Sequence, residues 1–311
     1  MRFAVVGDTF LEVELAGHAE RLCPDAPAPI VDVDSRQERA AGAGLVAAFL
    51  AGMGHDVELV TALSDDDGAA RLSALLGPVR LRAGDLRAPT PVTTRITAGG
   101  HCVARVDEGC GHPSFPVPPP DLASAFGSAD AIVVADCGRR FVSVPIVRAG
   151  LEVAARRVPL VWDPQLGGES PTPGAAAVTP SLPELLAMSG REVRELEAIA
   201  VAAERLRQRW AARSMIVRLG ARGVLVCTPD GDTQLQSSSE ETCRDGHGGE
   251  PERFAASLAA ALARREPLRG AVAGAIAAGS ASIEEPAVRP EPLTSRAAAF
   301  AGAPAESAGQ V

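Results

Sequence analysis

Residues 131–163 read AIVVADCGRRFVSVPIVRAGLEVAARRVPLVWD. Two short apolar runs, AIVVAD (131–136) and PLVWD (159–163), flank a longer helical pattern, VPIVRAGLEVAARR (144–157). Strand, helix and strand in that order make a parallel βαβ unit. The alternation extends in both directions. Upstream lie RFAVVGD (2–8), GLVAAFLAGMG (44–54), VELVTAL (57–63) and DGAARLSALLG (67–77). Downstream lie SLPELLAMSG (181–190), one long helix through 191–213, SMIVRLG (214–220), GVLVCTP (223–229) and FAASLAAALARR (254–265). The pattern predicts an α/β chain with a doubly wound, mostly parallel sheet covered on both faces. Ligands of such sheets sit at the carboxyl ends of the strands.

Two segments break the alternation. PAPIVDVDSRQERA (27–40) and TPVTTRITAGGHCVARVD (90–107) have strand periodicity with polar alternate positions, and they predict a small accessory β-lid. GHPSFPVPPPDL (111–122) reads as a connector, and 284–311 is a Pro/Ala/Glu-rich tail expected to be poorly ordered. One domain over 1–283, lid included, is the expected organisation.

The chain has 311 residues, 46% of them hydrophobic, enough for a substantial core. A net charge of -9 offers no broad basic surface, which argues against nucleic acid or anionic membrane as partner. Six scattered cysteines form no C-x-x-C pair or zinc spacing, and read as reduced thiols. The first apolar run breaks at Gly7-Asp8, too early for a signal-peptide core, and no later run has transmembrane length; a cytoplasmic location is expected. Lysine and asparagine are absent. A Walker A loop and a pyridoxal-phosphate Schiff base both need lysine, so neither is available.

The chemistry concentrates at CRDGHGGEPERFAAS (243–257), a glycine-rich turn leading into an alanine-rich helix. A helix N-terminus attracts anions through its unpartnered amides and positive dipole end. Gly248 and Gly249 are placed to shape such an anion hole. Glu250 and Glu252 also have a purely structural reading, since proline suits the first helical position and acids in the first turn offset the dipole.

The order of these segments resembles the PfkB/ribokinase family of sugar kinases, most closely its heptose-7-phosphate kinase branch. VVGDTFLEVEL, CPDAPAPIVDVDSRQERAAGAGLVAAFLAGMG, PTPVTTRI with ARVD, VVADCGR, VWDPQ, VTPSLPEL and VRLGARGV carry the likeness, which spans roughly residues 3 to 283. It implies a ribokinase-like fold, ATP and magnesium as cofactors, a sugar or sugar phosphate as substrate, and a homodimer through the β-lid.

Transferred residue by residue, the resemblance implies sugar contacts from Asp8, Glu12, Gly42, Arg105 and Asp136. Glu12 stands where the family has an aspartate, and Leu45 where it has an asparagine; leucine has no hydrogen-bonding group. Glu184, after Ser181-Leu182-Pro183, matches the glutamate that helps organise magnesium and its water, an indirect metal role, and equally suits a helix start. Arg218, Gly220 and Gly223 fall on the nucleotide side, with Asp245, Gly248 and Gly249 in the anion turn. Counting back from the helix places Glu252 at the position of the catalytic aspartate; counting forward from Asp245 places Pro251 there. Glu250 and Glu252 are the candidate displaced bases. The expected function is a carbohydrate-kinase-like protein that is catalytically impaired or repurposed. The alternatives are an active kinase with a glutamate base and a non-catalytic binding subunit.

Overall fold

The computed structural model describes residues 1–111, 116–231, 233–236 and 249–280. In chain order the strands are β1 (Arg2–Gly7), β2 (Thr9–Leu22), β3 (Pro29–Gly42), β4 (Asp56–Leu63), β5 (Arg80–Asp85), β6 (Val92–Ala98), β7 (His101–Glu108), β8 (Ala131–Asp136), β9 (Leu160–Pro164), β10 (Ala177–Val178), β11 (Met215–Arg218), β12 (Val224–Cys227) and β13 (Thr233–Gln236). The helices are α1 (Ala43–Gly52), α2 (Asp67–Leu75), α3 (Leu122–Gly127), α4 (Pro145–Ala154), α5 (Leu182–Ser189), α6 (Leu196–Arg209), α7 (Glu250–Ala263) and α8 (Leu268–Ser280).

Nine strands form the central sheet in the order β13-β12-β11-β10-β9-β8-β1-β4-β5. It is parallel except for β12 and β13. Side chains alternate between two cores, as the period of a strand requires. Ala4, Val6, Ile132, Val134, Leu160 and Trp162 join Phe126, Leu151 and Ile199 on one face. Phe3, Val5, Ala131, Val133 and Val161 join Val46, Leu50, Phe254 and Leu258 on the other. Burial on both faces is why AIVVAD is apolar throughout rather than alternating.

From β1 the chain winds outward to β4 and β5, then returns to the other flank of β1 as β8 and proceeds to β9, β10 and β11. The strand order therefore reverses between β1 and β8, and the crevice at their carboxyl ends is the topological switch point.

A second sheet, β3-β2-β6-β7, is the lid. The expected segments 27–40 and 90–107 fall in β3 and in β6 with β7, and the long β2 joins them. The lid is rooted where Thr9, directly after Asp8, pairs with Gly42.

Several expectations differ from the structure. The single helix expected over 191–213 begins only at Leu196. Gly190 (φ 64) ends α5 in the left-handed conformation, and the Arg191 amide donates to Leu186 O, closing the preceding helix. Helix α3 starts at Leu122, the last residue of the expected connector, and like α8 and β5 it was not anticipated. The Gly-rich sequence of α8 hides a helix stabilised by packing on α7, and β5 is a polar edge strand with weak apolar periodicity. The tail at 284–311 lies outside the described residues, among which no helix is long and apolar enough to cross a membrane.

Candidate active site

Five strand ends deliver polar side chains to the crevice: Asp8 after β1, Asp136 on β8, Asp163 on β9, Thr179 after β10 and Arg218 on β11. Parallel strands all point their carboxyl ends the same way, so the residues that end them converge.

Asp8 and Asp136 belong to the frame of the site. Asp8 is 4% exposed and accepts the amides of Arg139 (2.9 Å) and Phe141 (3.3 Å). Asp136 is 1% exposed and accepts those of Gly138 (3.1 Å) and Glu169 (2.5 Å). Together they hold the loop after β8, and Asp136 ties it to the loop after β9 through Glu169. Burial raises the pKa of both, and the nearby Asp8 charge helps push Asp136 up to about 7. Cys137 lies beside them, its thiol kept protonated by burial and by the surrounding acids.

Gly42, the N-cap of α1, has φ 61 and ψ -132, and a Cβ there would stand 2.5 Å from the Asp8 carbonyl oxygen. Only glycine fits such a close approach. The Ala43 amide donates to that same carbonyl, which ties α1 to the end of β1.

The second group is built from side chains. Asp163, 3% exposed, accepts the Thr179 hydroxyl (2.8 Å) and faces Arg218 Nη2 at 3.3 Å. The same Nη2 lies 3.6 Å from Glu184 Oε2. Glu184 is also half of a capping box: the Ser181 amide donates to Oε2 at 2.7 Å, and Ser181 Oγ accepts the Glu184 amide. The main-chain bridge between Ser181 and Arg218 brings these elements side by side. Burial pushes Asp163 up to about 7 despite the Arg218 charge.

Glu252 enters from the first turn of α7, where burial raises its pKa. Its charge acts on Asp163 and Cys137, and the charges of Arg218, Arg39 and Glu12 act on it. The lid contributes Glu12, held by Arg39 (2.9 Å) and by Arg95 (3.8 Å). Asp163, Arg218 and Glu184 are thus in contact, as are Glu12, Arg39 and Arg95, with Glu252 electrostatically coupled to both groups; Asp8, Asp136 and Gly42 form a third. Glu250, also in the first turn of α7, has its pKa raised by burial and packs near Gly279.

Arg105 lies on the exposed edge strand β7, held by Asp107 at 2.9 Å. Gly220 and Gly223 shape the 3-10 turn between β11 and β12. Gly249 is the N-cap of α7 at φ 70, and a Cβ there would meet Leu45 Cδ2 at 2.6 Å. Asp245 and Gly248 lie outside the described residues. Sequence reasoning missed Asp163, although it ends a parallel strand as Asp136 does. It also missed Arg39, Arg95 and Thr179, whose pattern is that of any polar face or helix entrance.

These residues do not fit a magnesium ion held directly by Glu184; the role the resemblance implied for it is indirect, through the ion's water. Such an ion needs carboxylate oxygens turned to it at about 2.0–2.1 Å. Here a guanidinium stands against both Glu184 and Asp163, and among the described residues no group of three His, Cys, Asp or Glu could hold a metal.

The family described as pfkB family carbohydrate kinase matches residues 2–295. A bifunctional protein HldE of Streptomyces coelicolor is 34% identical over 283 residues, covering 90% of this chain and 59% of that protein. The protein of that name from Hyphomonas neptunium is 30% identical over 294 residues, covering 91% and 60%. The chain therefore spans about three fifths of the length of these relatives. Among solved structures, Arabidopsis thaliana ribokinase complexed with ribose and ATP superposes with a TM-score of 0.68 at 18% identity, covering 89% of this chain and 91% of that one. Escherichia coli phosphofructokinase-2 in complex with fructose-6-phosphate does so with a TM-score of 0.66 at 14% identity, covering 89% and 92%. At these identities the two structures bear on the fold, which is ribokinase-like.

Proposed function

The chain belongs to the pfkB family of carbohydrate kinases, and from that premise we propose that it moves the terminal phosphoryl group of ATP to a hydroxyl of a sugar phosphate, with Glu252 as the base. The observation that carries this reading is the position of Glu252, at the start of α7 and electrostatically coupled to the crevice acids and arginines. A carboxylate with a raised pKa is better matched to taking a proton near neutrality than an ordinary one. Glu252 takes the hydroxyl proton as the oxygen attacks phosphorus, ADP leaves, and the arginines offset the charge that builds on the phosphoryl oxygens. Arg39 and Arg95, converging on the lid side, favour a substrate that already bears a phosphate. The ATP-bound ribokinase relative supports ATP as donor.

A second reading, a catalytically impaired or repurposed member, has its own support. Leu45 and Phe49 pack against the Gly249 turn, and Pro251 removes one amide from the start of α7. Glu12 is already clasped by two arginines. The proposal also keeps a homodimer through the lid, where β7 is exposed along its whole length and displays Val103 and Val106. Sedimentation tests that part.

The deciding experiment measures ATP binding by calorimetry and ADP release over a panel of sugars and sugar phosphates. Release with a sugar phosphate, lost in Glu252→Gln, is the expected result. ATP binding without turnover on any acceptor selects the second reading.

A further inference from the structure

Arg218 was expected to serve the nucleotide side and Glu184 the metal side. The structure places them against each other. The Arg218 side chain is 14% exposed, and its Nη2 stands 3.3 Å from Asp163 and 3.6 Å from Glu184. These are contacts of charge with charge, longer than a saturated bidentate pair at about 2.7–2.9 Å. The buried Nε has no hydrogen-bond partner among the described residues. A guanidinium carries five N–H donors in a rigid plane, so this one retains capacity toward an anion after meeting both acids. Asp163 is oriented independently by Thr179, and Glu184 by the Ser181 amide. Each acid would keep its direction if the arginine were removed.

We propose that Arg218 is a built-in cation: its guanidinium fills the seat between Asp163 and Glu184, so the chain itself carries the positive charge that a divalent ion would bring there, and turns it toward the phosphates of a nucleotide. The second half of this statement rests on the kinase reading above; the filled seat does not. A cation fixed in the chain needs no binding equilibrium, and its charge does not depend on metal supply. It repels a divalent ion from the same two carboxylates. A metal travelling with the nucleotide is a separate matter.

Manganese titrated into the nucleotide-free full chain and followed by paramagnetic resonance tests the seat directly. Wild-type protein is expected to leave the free-ion spectrum unchanged. Arg218→Met, neutral and of similar length, should bind one ion per chain and lose it when Glu184→Gln is added. Arg218→Lys keeps the charge and should bind none, and a thermal melt of each variant shows that it is folded. Manganese bound by wild type and released in Glu184→Gln, or folded Arg218→Met that binds none, overturns the proposal. ATP calorimetry in chelator then tests the second half. Wild-type affinity should stay within about threefold of its value with magnesium, and Arg218→Met should lose at least about tenfold. If wild type binds no ATP in either buffer, the nucleotide reading falls while the manganese result still decides the seat.

Discussion

The carboxyl edge of the central sheet gathers two sets of buried or half-buried acids held in opposite ways. Asp8 and Asp136 are fastened by four backbone amides. Asp163 and Glu184 meet a hydroxyl, a cap amide and one long, polar side chain, Arg218. An acid bound by main-chain amides is part of the frame, because its partners move only if the fold does. An acid facing a guanidinium shares its partner with whatever the remaining N–H donors can reach. The switch point of the sheet therefore fastens its acids to main chain at β1 and β8 and mainly to side chains at β9 to β11.

This contrast is most severely tested at Glu252. Glu252→Gln should lower phosphotransfer about a hundredfold to ten-thousandfold while the urea midpoint and ATP affinity hold. An equal loss of stability would move Glu252 into the frame. The converse test is Gly42→Ala at the root of the lid. Its φ of 61 and the 2.5 Å approach to Asp8 O should cost about 3 kcal/mol in urea unfolding. A midpoint within error of wild type would show that the frame yields easily.

The pH dependence of stability separates the two sets next. Asp136 and Asp163 have pKa values of about 7, raised from 3.8, so the folded chain keeps protons that the unfolded chain has released. These two acids should therefore make stability fall as pH rises from 4 to 7, each contributing a slope of up to about 1.4 kcal/mol per pH unit. Asp136→Asn and Asp163→Asn should each remove one share of that slope, read from urea melts across the range. Asp136→Asn should also lose one backbone hydrogen bond at every pH, about 1 kcal/mol, because an amide cannot accept on both sides. The smallest expected effect is at Ser181→Ala. Loss of the capping box should cost about 1 kcal/mol and leave manganese behaviour unchanged, since Glu184 keeps its place beside Arg218.

Much of the architecture was legible in the chain. AIVVAD and PLVWD around a helical pattern imply a covered parallel sheet wherever they occur, because period and apolarity are local properties. The capping box at Ser181 and Glu184 and the start of α7 at Glu250 were readable for the same reason. Helix α8 was not, since Gly270, Gly274 and Gly279 lower its propensity and its packing partner α7 is a separate element. Nor was the clasp of Arg39 and Arg95 on Glu12, which joins three strands of the lid.

The sequence by itself determined the α/β repeat, the polar lid segments, the absence of lysine chemistry, and a glutamate rather than an aspartate at the start of α7. Each is a matter of composition or of spacing within one element. Only the tertiary structure decided which acids are frame and which face a cation. Asp8 meets Arg139 across 131 residues of chain, and Arg218 meets Asp163 across 55. Contacts that distant are made by the winding of the sheet, and no local pattern encodes them.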